Sequence, residues 1–88
     1  MNCTVRVASP LRSYTGGANT VAAQGATVAE LLADLEQRYP GMRFRMVDEQ
    51  DRIRPHIRLF AGNREVHDLS ERVEEDRVLH LICALSGG

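Results

Sequence analysis

The sequence predicts an α+β fold in which one main amphipathic helix packs on one face of a mixed β-sheet. Three segments indicate this class. Residues 2–8 alternate between apolar and polar side chains, which is the period of a half-buried strand. Apolar residues between 27 and 39 recur at helical spacing instead. Residues 77–84 are apolar on both faces, which is typical of a strand in the centre of its sheet.

The helix has clear signals at both ends. Thr27 is a favourable N-cap, and Glu30 three residues later completes a capping box. Pro40 and Gly41 end the helix. The apolar side chains predicted to form one stripe toward the sheet are Val28, Leu31, Leu32, Leu35 and Tyr39.

The remaining elements are shorter. We expect a loop over residues 9–18, strands over 19–24, 56–61 and 65–67, and one helical turn over 69–73 with Leu69 and Val73 in the core. Phe44 and Met46 are expected to pack against the end of the helix. Because the helix lies between them in the chain, a last strand placed beside the first must run parallel to it.

The composition excludes several classes of protein. The chain has 88 residues, enough for one small domain, and a formal net charge of −1, so strong attraction to nucleic acid or an anionic membrane is not expected. The N-terminus has no basic stretch followed by an apolar one, and no apolar run is long enough to span a bilayer. We therefore expect a cytoplasmic protein.

No pattern in the chain predicts catalysis or metal binding by its own side chains. His56, His67 and His80 are spread out without metal-ligand spacing. Cys3 and Cys83 lie at opposite ends of the chain, and we expect them to be free, since parallel neighbouring strands would hold them too far apart for a disulfide. We expect no bound metal, no cofactor and no enzymatic site, since no carboxylate pair, phosphate loop or activated nucleophile is recognisable.

The chain resembles a known family over its whole length. The resemblance is carried by the opening strand, the residues LRSYTGG at 11–17, the helix at 27–39, the hairpin at 57–66 and the last strand followed by Gly87 and Gly88. This combination is similar to the ubiquitin-like β-grasp fold, and more closely to the ThiS/MoaD sulfur-carrier family, including its carriers for cysteine-type and siderophore pathways. It implies a β-grasp domain over residues 1–84 and a flexible C-terminal tail over 85–88.

The same resemblance implies the function. The C-terminal carboxylate of Gly88, presented by Gly87, would be adenylated by an E1-like partner that uses ATP. It would then become a thiocarboxylate that donates sulfur to a downstream synthase in cysteine, thiamin, molybdopterin or siderophore biosynthesis. The carrier would bind no cofactor itself and would act as a co-substrate of its partner enzymes.

A second expectation concerns the surface that a partner would bind. Phe60 and Ile82 are predicted to point away from the helix, and an exposed apolar patch with a polar rim marks an interface. Alternatively, a loop of the domain itself covers Phe60. The residues expected at the interface are Arg58, Phe60, His80, Ile82, Leu85 and Ser86.

Two other functions would use the same tail. The chain could be the small subunit of molybdopterin synthase, or a ubiquitin-like modifier joined through Gly88 to a lysine of a target. All eleven basic residues of this chain are arginines, so no lysine side chain is available for conjugating one copy to another.

Overall fold

The computed structural model of the chain describes residues 2–73 and 77–83, which form a five-stranded sheet with helices on one face. The strands are β1 (Asn2–Arg6), β2 (Thr20–Gln24), β3 (Ile57–Ala61), β4 (Arg64–Val66) and β5 (Val78–Cys83). The helices are a 3-10 helix (Ser9–Thr15), α1 (Val28–Arg38) and α2 (Met42–Met46). The predicted tail at 85–88 and residue 84 lie outside the described residues.

The sheet has the order β2-β1-β5-β3-β4, with the last strand at its centre. β1 pairs antiparallel with β2 and parallel with β5, and β3 pairs antiparallel with both β4 and β5. The central position of the last strand and its parallel alignment with the first are both confirmed. The parallel pair follows from the α1 crossover, because a direct hairpin could join these strands only in antiparallel orientation.

The predicted capping box opens α1. The Thr27 hydroxyl accepts a hydrogen bond from the Glu30 N–H at 3.2 Å. The Glu30 carboxylate accepts one from the Ala26 N–H at 2.7 Å, one residue before the cap. At the other end, the Tyr39 N–H donates to the Leu35 carbonyl. α1 has eleven residues, and no helix in the described ranges is long and apolar enough to cross a membrane.

The core lies between α1 and the sheet. The predicted stripe of α1 is buried except for Tyr39, which is half-buried. It packs on the inward-facing side chains of three central strands, β1, β5 and β3. These side chains alternate with exposed or half-buried residues, as period two requires. The buried members of those strands are Cys3, Val5, Ile57, Leu59, Ala61, Leu79 and Leu81.

Two short helices were missed by the sequence analysis. The expected loop at 9–18 contains the 3-10 helix, which starts at a proline-bearing turn and ends where Gly16 adopts φ 66°. α2 follows Gly41 and buries Met42 and Met46. The prediction for Met46 is confirmed, whereas the one for Phe44 is wrong. A helix of five residues can bury only one side, and Phe44 lies on the other side with 58% of its surface exposed.

The segment at 69–73 is not the helical turn that was expected, although Leu69 and Val73 are buried as predicted. Its backbone runs beside the start of α1. The Leu69 carbonyl accepts from the Ala29 N–H at 2.8 Å, and the Glu71 carbonyl accepts from the Val28 N–H at 3.0 Å. The segment begins with a turn, in which the Glu71 N–H donates to the Asp68 carbonyl at 3.1 Å, and does not continue as a helix. Its carbonyls satisfy the first N–H groups of α1, which have no partner within the helix.

Candidate functional site

The candidate site is the end of the sheet at which the central strand, β5, ends at Cys83. Because β1 and β5 are parallel, their carboxyl ends lie at this same end of the sheet. The residues predicted to carry the chemistry, Gly87 and Gly88, follow Cys83 in the chain and lie outside the described residues. The same is true of Leu85 and Ser86. The described structure therefore defines the surroundings from which the C-terminal segment continues.

A groove runs along β5 at this end of the sheet. The β1–β5 pairing stops at Arg6 and His80, whereas β5 continues to Cys83 paired with β3. Beyond Arg6, the chain turns away into the 3-10 helix and leaves a groove of about 340 Å³ between the segment at 7–10 and the last residues of β5. In the described part of the chain, one side of the end of β5 thus faces open space.

The LRSYTGG loop directly follows the segment at 7–10 that lines this groove. Leu11 is buried in the core, and the Arg12 Nε donates to the Val7 carbonyl at 3.1 Å. The Thr15 hydroxyl donates to the Ala18 carbonyl at 2.8 Å and closes the loop. The side chains that carry this part of the resemblance therefore fix the backbone beside the end of β5.

The sheet face opposite α1 brings together four of the residues predicted at the interface. The register places His80 beside Phe60 and Ile82 beside Arg58. Ile82 is 42% exposed, while Phe60 is half-buried. The predicted orientation of Phe60 and Ile82 away from the helix is confirmed. Their role in binding a partner stays a prediction.

Two further residues extend this face and were not singled out from the sequence. Arg6 of β1 lies beside His80, and Glu65 of β4 lies beside Phe60. Glu65 also accepts a hydrogen bond from Arg58 at 3.1 Å. The alternation of the first strand combined with its parallel pairing to the last would have placed Arg6 here. On this face, Phe60 and Ile82 therefore lie between Arg6 on one side and the ion pair of Arg58 with Glu65 on the other.

The two thiols are poorly suited to nucleophilic chemistry. Both cysteines are free, as predicted. Burial raises the pKa of Cys3 and of Cys83, although the charge of Arg45 opposes the shift at Cys83. A thiol with a raised pKa is mostly protonated at neutral pH and reacts slowly. The residues at 2–73 and 77–83 also contain no group of three or more potential metal ligands.

Several carboxylates are held ionised by the backbone. Hydrogen bonds from the Gly41 and Arg43 N–H groups lower the pKa of Glu36, and one from Arg52 lowers that of Asp48. The pKa of Glu71 is lowered mainly by the His67 N–H. These carboxylates tie loops to the domain, and lowered pKa values do not suit them to donate protons at neutral pH.

The comparisons with known proteins agree with this architecture. The sequence model of the ThiS family matches residues 5–88. Proteins named sulfur carrier protein CysO from Mycobacterium tuberculosis and Mycobacterium bovis are 28% identical to this chain over 93 residues, with full coverage of both chains. The family match thus begins within β1 and includes the other four strands, α1 and the two terminal glycines.

Solved structures give the same result. The crystal structure of the Amycolatopsis orientalis BexX/CysO complex contains a chain with TM-score 0.89 and 32% identity, covering 98% of this chain and 99% of that one. Mycobacterium tuberculosis CysO has TM-score 0.87 at 24% identity, covering 94% and 99%. Haloferax volcanii SAMP1 has TM-score 0.82 at 22% identity with full coverage, which supports the fold alone. The chain belongs to the ThiS family of sulfur carriers and has the ubiquitin-like β-grasp fold.

Proposed function

We propose that this sulfur carrier holds its sulfur as a thiocarboxylate on Gly88. The observation that carries the proposal is the family match, which runs through the central strand and includes Gly87 and Gly88. The relatives named sulfur carrier proteins support the same function over the full length of the chain. The parallel β1–β5 pair supports it further, since it places Cys83, five residues before Gly88, in a groove whose other side is held by Arg12.

The chemistry requires a partner to activate the carboxylate. A terminal carboxyl group has a pKa of about 3.5, so it is ionised at neutral pH and is a poor electrophile. An E1-like enzyme transfers AMP from ATP to the Gly88 carboxylate and releases pyrophosphate. A sulfur nucleophile then attacks the acyl carbon and displaces AMP. Two glycines without Cβ atoms leave that carbon accessible and let the backbone enter a narrow site.

In this function the chain is a co-substrate. It binds no cofactor itself, since the activating enzyme uses the ATP, and a sulfur-accepting synthase consumes the thiocarboxylate. The relatives named CysO favour a cysteine-type pathway. We place this pathway in the cytoplasm. The small subunit of molybdopterin synthase and a protein modifier would use the same glycines. The SAMP1 neighbours are too distant in sequence to favour the modifier.

The sheet face supplies the docking surface in this proposal. A partner binds Phe60 and Ile82 through apolar contact, with Arg58, His80 and Arg6 around them. These side chains stand on paired strands, so the surface is preorganised and little conformational entropy is lost on binding. Leu85 and Ser86 connect this surface to the reactive glycines.

Deletion of Gly88 tests the proposal. We expect the shortened protein to melt at the same temperature as the full chain, because the described core contains no residue beyond Leu81. Incubated with ATP, the adenylating enzyme and a sulfur donor, the full chain should exchange one C-terminal oxygen for sulfur, detected by mass spectrometry, and the shortened chain should not. An adenylated shortened chain, or a branched amide to another protein in place of the thiocarboxylate, would contradict the proposal.

A further inference from the structure

A second surface lies at the same end of the domain, outside the sheet face. Phe44, Arg45, Arg54 and His56 line a pocket of about 220 Å³, which we call the basic–aromatic pocket. His56 directly precedes Ile57, the residue that pairs with Cys83. Arg45 is close enough to Cys83 for its charge to act on the thiol. The pocket therefore lies close to Cys83, the last residue of β5.

Arg54 is fixed in this pocket by three contacts. Its backbone N–H donates to the Met46 carbonyl at 2.9 Å, and its Nε donates to the Phe44 carbonyl at 2.7 Å. Its guanidinium carbon lies 4.5 Å from the centre of the Phe44 ring, within the range of a cation–π contact. Its Nη2 is buried and has no hydrogen-bond partner among the described residues. Arg54 is thus a positioned cation whose hydrogen-bonding capacity is only partly used.

The charge of the pocket is not neutralised within the described part of the chain. Neighbouring arginines outside the pocket are paired: Arg43 with Asp51 at 2.6 Å, and Arg52 with Asp48 at 3.4 Å. In contrast, no ion pair joins Arg45 or Arg54 to a carboxylate of residues 2–73 or 77–83, and no acidic residue lines the pocket. The pocket therefore presents concentrated positive charge, which attracts anionic groups.

The pocket also exposes an aromatic ring. Phe44 is the most exposed large hydrophobic residue of the described chain, at 58%, and Ile82 is next at 42%. Aromatic and arginine side chains are enriched among the residues that dominate protein–protein binding. A small anion would bind the arginine side chains and make no use of the Phe44 ring. A protein segment with a carboxylate beside an apolar side chain would use both.

We propose that the basic–aromatic pocket docks an acidic segment of the adenylating enzyme, with a carboxylate between Arg45 and Arg54 and an apolar contact on Phe44. The identity of this partner rests on the proposed function. Gly88 is the fifth residue after Cys83, and five residues can reach at most about 17 Å. In this proposal the pocket binds a surface of the partner outside its acyl-transfer site, and it sets affinity without touching the reacting atoms.

The test is the charge reversal Arg45→Glu, with Arg38→Glu as the matched control. Both change the net charge equally, and Arg38 lies on α1, where it makes one exposed ion pair with Asp34. Pyrophosphate exchange with the adenylating enzyme of the same organism measures KM and kcat for the carrier. We expect Arg45→Glu to raise KM about tenfold with kcat unchanged, because a like charge would face the acidic segment. Arg38→Glu should stay within about twofold.

Two further measurements separate this inference from its alternatives. The first uses Phe44→Ala, which is checked for cooperative melting and should raise KM several-fold. The second is the salt dependence of KM, which should be weaker for Arg45→Glu than for the unaltered chain. Equal KM values for the two arginine variants would overturn the inference while leaving the proposed function intact. If the enzyme does not adenylate the unaltered chain, the inference and the proposed function both fail. NMR shifts at Arg45 and Arg54 caused by ATP alone would assign a nucleotide-phosphate site and also overturn the inference.

Discussion

Leu81→Asp, with Ile82→Asp as its control, tests the orientation of the central strand. The two residues are neighbours on β5 and point to opposite faces. Leu81 is 2% exposed and lies beside Leu59 in the core, whereas Ile82 is 42% exposed and lies beside Arg58. The same chemical change is therefore made in the core and on the surface, one residue apart on the same strand.

The expected loss in the free energy of unfolding follows from the different environments of Leu81 and Ile82. Replacing Leu81 removes about 2 kcal/mol of apolar burial. A buried aspartate must also be neutralised, and protonating a group of pKa about 3.9 at pH 7 costs about 4 kcal/mol. The sum of about 6 kcal/mol is comparable to the whole stability of an 88-residue domain, about 4–13 kcal/mol. Ile82→Asp should lose only about 1 kcal/mol, since its side chain is already partly in water.

Urea denaturation followed by circular dichroism measures both free energies of unfolding. At pH 7 we expect Leu81→Asp to be mostly unfolded and Ile82→Asp to unfold cooperatively. The folded-state pKa of the buried aspartate would be raised above its unfolded value. The deficit of Leu81→Asp should therefore shrink as the pH falls from 7 to about 4, and it should stay constant at lower pH, where the unfolded chain also binds the proton. Equal stability of the two variants at pH 7 would refute the orientation of β5.

Two other predictions concern the loops that hold the sheet and α1 together. A Cβ on Gly25 would lie 2.7 Å from the Glu30 Cβ and 2.8 Å from the Leu31 nitrogen, so Gly25→Ala should lower the unfolding free energy by about 2–3 kcal/mol in urea. Gly16→Ala, with φ +66° but open space around it, should lose only about 1–2 kcal/mol. The folded pKa of Glu71 is lowered, so its contribution is present at neutral pH and lost as the pH falls through that value. The stability difference between the unaltered chain and Glu71→Gln should therefore shrink below about pH 4, and a constant difference from pH 7 to pH 3 would count against the role of its backbone hydrogen bonds.

The long periodic elements were predictable because their signals are redundant. Four apolar residues and a capping box define α1, and each confirms the same helix. β5 was recognisable as central because it is apolar on both faces. Its direction followed from connectivity alone, since a strand that lies beside β1 after a helical crossover must be parallel to it. These inferences depend on the pattern along the chain and need no knowledge of distant contacts.

The basic–aromatic pocket could not be predicted in this way. Phe44 and Arg45 belong to a five-residue helix that is too short to show a period. Arg54 and His56 come from a later segment, which the Asp48 carboxylate folds back by accepting hydrogen bonds from the N–H groups of Gln50 and Arg52. Hydrophobicity alone assigned Phe44 to the core, and only the tertiary structure shows that Met42 and Met46 already occupy that side.

Hydrogen bonds between described residues hold the segments around the end of β5 in place. The segment after β1 is held by Arg12, and α2 is held by the Glu36 carboxylate, which accepts from the Arg43 N–H at 3.0 Å. The segment before β3 is held by the Arg54 N–H bond to Met46. None of these bonds involves a residue beyond Cys83, so binding and reactivity can be altered separately. Substitutions around the end of β5 should therefore alter KM while activation of the carboxylate persists. Loss of Gly88 should instead abolish activation in a domain whose stability is unchanged.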